Sequence, residues 1–317
     1  MVKKEKISVV VPCYNEQESL PLFYKEINKI SNEMETVEFE FMFINDGSKD
    51  KTLELLRDLS KEDKRVRYIS FSRNFGKEAG MYAGLKNVTG DYVAIMDADM
   101  QDPPSMIKNM YEEMKGSDYD CVALYSKSHE GYNIFRKIGT WFWYKIYDVI
   151  SGSNQKHGAR DFRLMTRQMV DSILSLKEYN RYTKGIFGFV GFNTKWIDYE
   201  APDRAAGESK FSLKKLIKYA FEGIVSFSTF PLITAAYIGL VFCLVAFLAI
   251  VVIITKAIIW GDPVGGWPSL ACLIVFIGGV QLFFFGIMGV YLSKIYLEVK
   301  HRPIYISKET EKSRKEQ

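Results

Sequence analysis

Up to about Lys127 the chain repeats one rhythm: a β-branched apolar run, a polar turn, then a stretch with helical spacing. The runs "ISVVVP", "FEFMFIN", "VRYISF", "YVAIMDAD" and "YDCVALY" predict strands, and the segments opening at Glu16, Asp50, Gly76 and Pro104 predict the helices between them. Alternating strands and helices with nearly all-apolar strands imply an α/β domain whose central sheet is parallel-rich and covered on both faces. Ligands in such sheets sit at the carboxyl ends of the strands. The polar, chemically loaded stretches lie at those ends: "PCYNE", "NDGS", "SRNFGKE" and "DADMQD" follow the first four runs in turn.

Farther along, the pattern changes in kind. Pro231 to Thr255 and Trp267 to Leu292 are long apolar stretches without a formal charge, and a bilayer's hydrocarbon core needs only about 20 such residues. Two membrane helices are expected. Lys214, Lys215 and Lys218 precede the pair, and Lys294, Lys300 and Arg302 follow it, so the excess of positive charge puts both ends in the cytosol. Two further segments, "FRKIGTWFWYKIYDVI" (135–150) and "FSLKKLIKYAFEGIVSF" (211–227), mix apolar and basic residues as helices lying on a bilayer do. They also suit ordinary core-facing helices with a wet back.

Composition narrows the classes. With 317 residues, 48% of them hydrophobic and 15% aromatic, the chain can bury a large core. The net charge of +4 is modest, and the basic residues gather beside the apolar stretches, which suits an anionic membrane face and not nucleic acid. Cys13, Cys121, Cys243 and Cys272 show no CxxC spacing, and the three histidines stand apart, so neither a disulfide framework nor a zinc site is indicated.

The fourth loaded stretch carries Asp97, Asp99 and Asp102 before Pro103 and Pro104. Acids that close repel one another unless something positive joins them, and a hard cation, Mg²⁺ or Mn²⁺, takes carboxylate oxygens while sharing phosphate oxygens of a substrate. An extended strand would send Asp97 and Asp99 to opposite faces, so the turn must begin between them for both to serve one site.

The segments "VVVPCYNE", "INDGSKDKT", "SRNFGKEAGMYAGL", "GDYVAIMDADMQDPP", "ARDFRLMTR" and "DRAAGESKFSLKKL", in this order and ahead of two membrane helices, resemble the polyprenyl-phosphate glycosyltransferases of glycosyltransferase family 2. The resemblance covers nearly the whole chain. It implies a GT-A-type domain over residues 1–210, an amphipathic helix over 211–228, a two-helix transmembrane hairpin over 229–297 and a basic cytosolic tail over 298–317. Its implied partners are a UDP-sugar, polyprenyl phosphate, the bilayer and a further copy of the chain, with Mg²⁺ or Mn²⁺ as cofactor.

Carried over residue by residue, the resemblance points to Pro12, Tyr14, Glu16, Asp46 and Lys77, with Asp97 and Asp99, for the nucleotide sugar. Asp97, Asp99 and Gln101 would hold the metal, Asp161 would be the catalytic aspartate, and Arg136, Arg204, Ser209 and Lys210 would meet the acceptor phosphate. Each residue has a plainer reading as well. Asn15 and Glu16 suit a helix cap, Asp46 an ordinary turn, Lys77 a solvated helix position, and Asp161 an ion pair with Arg160 or Arg163. The chain departs from many relatives in "GVYLSKIY", where they have "GEYIGR", and around Arg181 it keeps only the arginine of the processive synthases' QxxRW. Single transfer is therefore favoured over polymerisation, and the resemblance implies an inverting transfer of glucose or N-acetylglucosamine; a processive polysaccharide synthase and an idle membrane adaptor are the alternatives.

Overall fold

The computed structural model describes residues 4–125, 156, 158–199, 230–260 and 266–315. The chain divides into two units, one holding the described residues up to Tyr199 together with those from Arg302 onward, the other the two long helices. In the first unit, strands β1 (Glu5–Cys13), β2 (Val37–Asn45), β3 (Val66–Phe71), β4 (Tyr92–Ile95), β5 (Cys121–Tyr125), β6 (Ala159–Thr166), β7 (Thr194–Asp198) and β8 (Ser307–Thr310) form one sheet in the order β7-β5-β6-β4-β1-β2-β3-β8.

The five strands expected from the apolar runs are all present and point the same way. The expected alternation breaks at β6, which enters antiparallel between β4 and β5, and at β8, which closes the β3 edge antiparallel. The last stretch of chain, expected to be only a basic tail, thus supplies an edge strand. Arg57 grips Glu309 through Nε (2.9 Å) and Nη2 (2.5 Å), and Arg67 Nε lies 3.0 Å from Glu311 Oε1.

Both sheet faces are covered, as their apolar composition requires. Helices α1 (Ser19–Glu33), α2 (Thr52–Glu62) and α4 (Met106–Met114) share a core with alternate strand residues such as Val9, Val11, Phe41 and Phe43. Leu20, Phe23, Ile27 and Ile30 give α1 its buried stripe at helical spacing, and each such side chain stabilises the fold by about 1.5–3 kcal/mol. Helix α3 (Lys77–Asn87) lies on the opposite face, close to Val10 and Ile44. A Cβ on Gly84 would come within 2.1 Å of Val10 Cγ1, so only glycine permits this approach. Helices α5 (Arg167–Ser175) and α6 (Thr183–Phe189) complete the described part of this unit that bears on the site.

In the second unit, α7 (Phe230–Trp260) and α8 (Trp267–Val299) are the two helices expected from the charge-free stretches. Phe276–Val299 is long and apolar enough to cross a membrane, the one such stretch among the described residues. Exposed side chains including Tyr237, Val241, Leu282 and Phe283 line both helices.

Candidate active site

Strand alternation sorts the residues of β6. Phe162 and Leu164 enter the main core, and Arg160 leans the same way, its Nε 2.9 Å from the buried Asp102 and 3.0 Å from Tyr199 Oη. Asp161 and Arg163 go to the other face. There Arg163 lies 3.5 Å over the Phe187 ring and donates to the Arg160 carbonyl, so neither arginine pairs with Asp161.

The register of β4 against β6 pairs Ile95 with Arg163, and carrying it on by two residues sets Asp97 across from Asp161. Like charges placed opposite each other destabilise a sheet. Lys77 resolves the conflict: its Nζ lies 2.8 Å from Asp97 Oδ2 and 2.5 Å from Asp161 Oδ2. Lys184, in the first turn of α6, adds a second ammonium 3.6 Å from Asp161 Oδ1.

These neighbours set the acidities. Burial alone would raise the Asp161 carboxyl, but the ammoniums of Lys184 and Lys77, with Arg163 behind them, hold it well below the usual carboxylate range. Asp97 goes the other way, pushed up by burial and by the charges of Asp161 and Asp99 against the pull of Lys77. Burial opposes a charge on Lys77 too, yet the two aspartates keep its ammonium protonated well beyond the ordinary lysine range.

The loops around this centre are tightly specified. Asp46 is buried at the end of β2, and its two oxygens accept from the amides of Phe75 (2.6 Å) and Gly76 (2.9 Å). Gly47 has φ +65°, and a Cβ there would meet the Arg73 carbonyl carbon at 2.4 Å. The "NDGS" turn is therefore docked on the loop that leads into Lys77. At the end of β1, Pro12 packs beneath α3, and in the loop that follows Tyr14 is 43% exposed and Asn15 takes φ 56°. Its neighbour Glu16 donates its amide to Thr52 Oγ1 at 2.9 Å and accepts from Ser19 Oγ through its carboxylate. Asp99 Oδ1 accepts from the Gln101 amide at 3.1 Å, while Gln101 Oε1 faces Arg160 Nη2 at 3.3 Å.

Of the residues singled out from the sequence, Lys77, Asp97 and Asp161 thus meet, Pro12 lies in the last residues of β1, and Tyr14, Glu16, Asp46, Asp99 and Gln101 stand on the loops at the same strand ends. Arg136, Arg204, Ser209 and Lys210, with the two segments read as interfacial helices, lie outside the described residues. Lys184 was not foreseen, because nothing in "YTKGIFGF" marks its lysine as an active-site group. Nor was Glu78, which accepts from the Thr183 amide at 2.8 Å and is pushed up by burial. Arg181 sends Nη2 to the Ile173 carbonyl at the end of α5 (3.2 Å) and lies 4.7 Å over Tyr82, which gives it a structural task.

The acids present fit a cation that brings its own oxygens. Asp97 and Asp99 follow β4, and among the described residues no group of three or more His, Cys, Asp or Glu converges. One or two carboxylates are what Mg²⁺ or Mn²⁺ takes from a protein when substrate phosphates complete its shell.

Comparison with known proteins extends this picture. The family described as Glycosyl transferase family 2 matches residues 8–174. The bactoprenol glucosyl transferase of Shigella phage SfV is 43% identical over 304 residues, which cover 96% of this chain and 98% of that protein. A prophage bactoprenol glucosyl transferase homolog of Escherichia coli (strain K12) is 42% identical over 308 residues, covering 97% of this chain and 100% of its own. Among solved structures, glucosyl-3-phosphoglycerate synthase from Mycobacterium tuberculosis in complex with Mn²⁺ and UDP-glucose is similar at a TM-score of 0.46 and 16% identity, over 70% of this chain and 77% of its own.

Proposed function

The chain belongs to glycosyl transferase family 2, and from that premise we propose that this glycosyltransferase moves one sugar, glucose or N-acetylglucosamine, from a UDP-sugar to polyprenyl phosphate of the undecaprenyl type, with inversion at the anomeric carbon. The observation that carries the reading is the meeting of Asp97 and Asp161 about the Lys77 ammonium at the strand ends. The acceptor and the preference for glucose draw their support from the relatives' names.

In this mechanism an oxygen of the lipid phosphate attacks the anomeric carbon from the face opposite the diphosphate, and the bond to the nucleoside diphosphate breaks. Pro12 and the loops bearing Tyr14, Glu16 and Asp46 hold the nucleotide, Asp46 by fixing the turn that carries Lys77. Asp97 and Asp99, with Gln101 beside them, hold a divalent cation, which when bound neutralises charge on the departing diphosphate. Asp161 has little affinity for a proton between two lysines, and a phosphate monoester, with a second pKa of about 6, is already largely dianionic at neutral pH. Asp161 therefore orients the acceptor through its cationic neighbours and does not act as a strong base. Arg136, Arg204, Ser209 and Lys210 meet the acceptor phosphate and offset its repulsion by the donor.

The membrane arrangement belongs to the same proposal. Helices α7 and α8 form a two-span hairpin, residues 135–150 and 211–228 lie on the bilayer, the catalytic domain and both termini face the cytosol, and copies of the chain associate. Purified protein given undecaprenyl phosphate and a panel of radiolabelled nucleotide sugars tests the chemistry: one labelled sugar per lipid supports it, and a polymer or no lipid product refutes it. Reporter tags at residues 1 and 317 should read cytosolic and one near Gly265 external; termini on opposite faces refute the hairpin.

A further inference from the structure

Lys77 stands where a cation is least expected. It is the first residue of α3, at the end where the helix's own partial positive charge disfavours an ammonium. What holds it there is the facing pair of carboxylates, at 2.8 Å and 2.5 Å. The pair is not served equally. Asp161 has Lys184 as a second cation, whereas among the described residues Lys77 is the only ion-pair partner of Asp97. Lys77 also remains 40% exposed, and Asp97 31%, so the ammonium can leave this carboxylate for solvent without breaking a packed core.

We infer that Lys77 is an internal counter-cation: it occupies the cationic position at Asp97 until a nucleoside diphosphate arrives with its own divalent ion, then gives up Asp97 to that ion while staying paired with Asp161. The inference rests on reading Asp97 and Asp99 as donor-side metal ligands. A dication alone would have to displace the ammonium and shed water for at most two carboxylates, a poor exchange for an ion that dehydrates reluctantly. With diphosphate oxygens added, the exchange becomes favourable. Lys77 thereby makes metal and donor bind together, and it keeps a free dication from settling on an empty site. It is a positioning residue, acting through Asp97 and Asp161.

The test uses the full-length protein in detergent, with Mn²⁺ as the probe and free Mn²⁺ measured by its paramagnetic resonance signal, with and without UDP. Wild-type protein should bind Mn²⁺ weakly alone and more tightly with UDP. Lys77→Met should bind Mn²⁺ alone at least roughly tenfold more tightly than wild type, the lower end of what one adjacent charge does to a carboxylate's affinity for a proton. The enhancement by UDP should shrink accordingly, because the coupling is reciprocal. Lys77→Gln should repeat the gain should methionine disturb the packing, Lys77→Arg should keep the wild-type pattern, and Asp97→Asn added to Lys77→Met should erase the gain. Unchanged or weaker binding of Mn²⁺ alone by both neutral variants, with wild type still coupling Mn²⁺ to UDP through Asp99, overturns the inference and leaves the proposed function standing. A wild type in which Mn²⁺ and UDP bind independently removes the metal reading and the inference with it.

Discussion

Two charge clusters are built into the same sheet and solved in opposite ways. Near the amino ends of β1 and β2, the buried Glu40 is surrounded by donors: Ser8 Oγ at 2.6 Å, Arg67 Nη1 at 2.6 Å, the Thr89 amide at 3.1 Å and Lys6 Nζ at 3.4 Å. At the carboxyl end, Asp97 and Asp161 share one lysine, and Asp99 stands beside them with its oxygen turned to a backbone amide. One acid with many donors is a structural device. Asp161 has Lys184 as a second cation, but Asp97, with two other acids close by, has Lys77 alone among the described residues, so what separates the two clusters is how fully each acid is compensated and not the presence of acids.

The comparison breaks first, and by the largest effect, at Asp161. Asp161→Asn keeps the side chain's shape, so UDP-sugar affinity should stay within about threefold while transfer falls by roughly 10²-fold or more, the scale on which misplacing a reacting group slows a reaction. Calorimetric titration of the UDP-sugar beside initial rates decides it; wild-type turnover, or a simple loss of donor binding, takes Asp161 out of the chemistry. If the acceptor dianion is the nucleophile, the residual rate should rise from about pH 5.5 to 7.5 with the phosphate's own pKa of about 6.

At the other cluster the effect falls on stability. Glu40→Gln leaves Arg67 and several donors short of their acceptor and should cost about 2 kcal/mol in denaturant melts, below the full cost of a broken buried pair because Arg67 keeps Glu311, with turnover per folded molecule unchanged. Burial would raise the Glu40 carboxyl, but Ser8, Thr89, Arg67 and Lys6 lower it from 4.5 to about 2. A folded-state pKa below the unfolded value means that this stabilisation is complete above about pH 4.5 and fades as the pH falls through about 2. The stability gap between wild type and Glu40→Gln should close over that window; a gap constant with pH would mean that shape and not charge is responsible.

What was legible in the sequence follows the same division. β1 to β5 and the helices between them announced themselves because apolar strands and helical spacing are local properties. β6 did not read as a strand, since its part-buried start, Ala159-Arg160-Asp161, carries charge where a strand's apolar run would be, and its antiparallel insertion is a matter of pairing that no run of residues encodes. β8 is short and polar, and only tertiary contacts hold it: Tyr305 stacks on Phe71 at 4.8 Å, and Glu309 accepts from Arg57 and, at 2.6 Å, from Tyr68. Motifs identified which aspartates to watch, but not that Asp97 and Asp161 would face each other, nor that lysines from α3 and α6 would reach them. Glu309→Gln measures the tertiary part. A part-buried bidentate pair should be worth about 1 kcal/mol, seen as a lower denaturation midpoint, and an unchanged midpoint would make β8 an ornament of the edge.

The smallest effect is also the sharpest, because its sign should differ from that at Glu40. The Asp97 carboxyl is pushed up by burial and by Asp161 and Asp99 in spite of Lys77, so the fold disfavours its charged form. For an acid whose folded-state pKa lies above the unfolded value, the penalty is full at neutral pH and disappears as the pH falls below both values. Asp97→Asn removes the charge and keeps the size. Lys77 then retains Asp161, the two facing carboxylates no longer oppose each other, and melts at pH 7 should show a gain of a few tenths of a kcal/mol, roughly the range of substitutions away from the core. Activity should fall as donor and metal lose a ligand, so stability and function should part company at this residue, as they do where a site is held under strain. A clear loss of stability, comparable to that of Glu40→Gln, would show that Asp97 is as fully compensated as Glu40 and would erase the distinction between the two clusters.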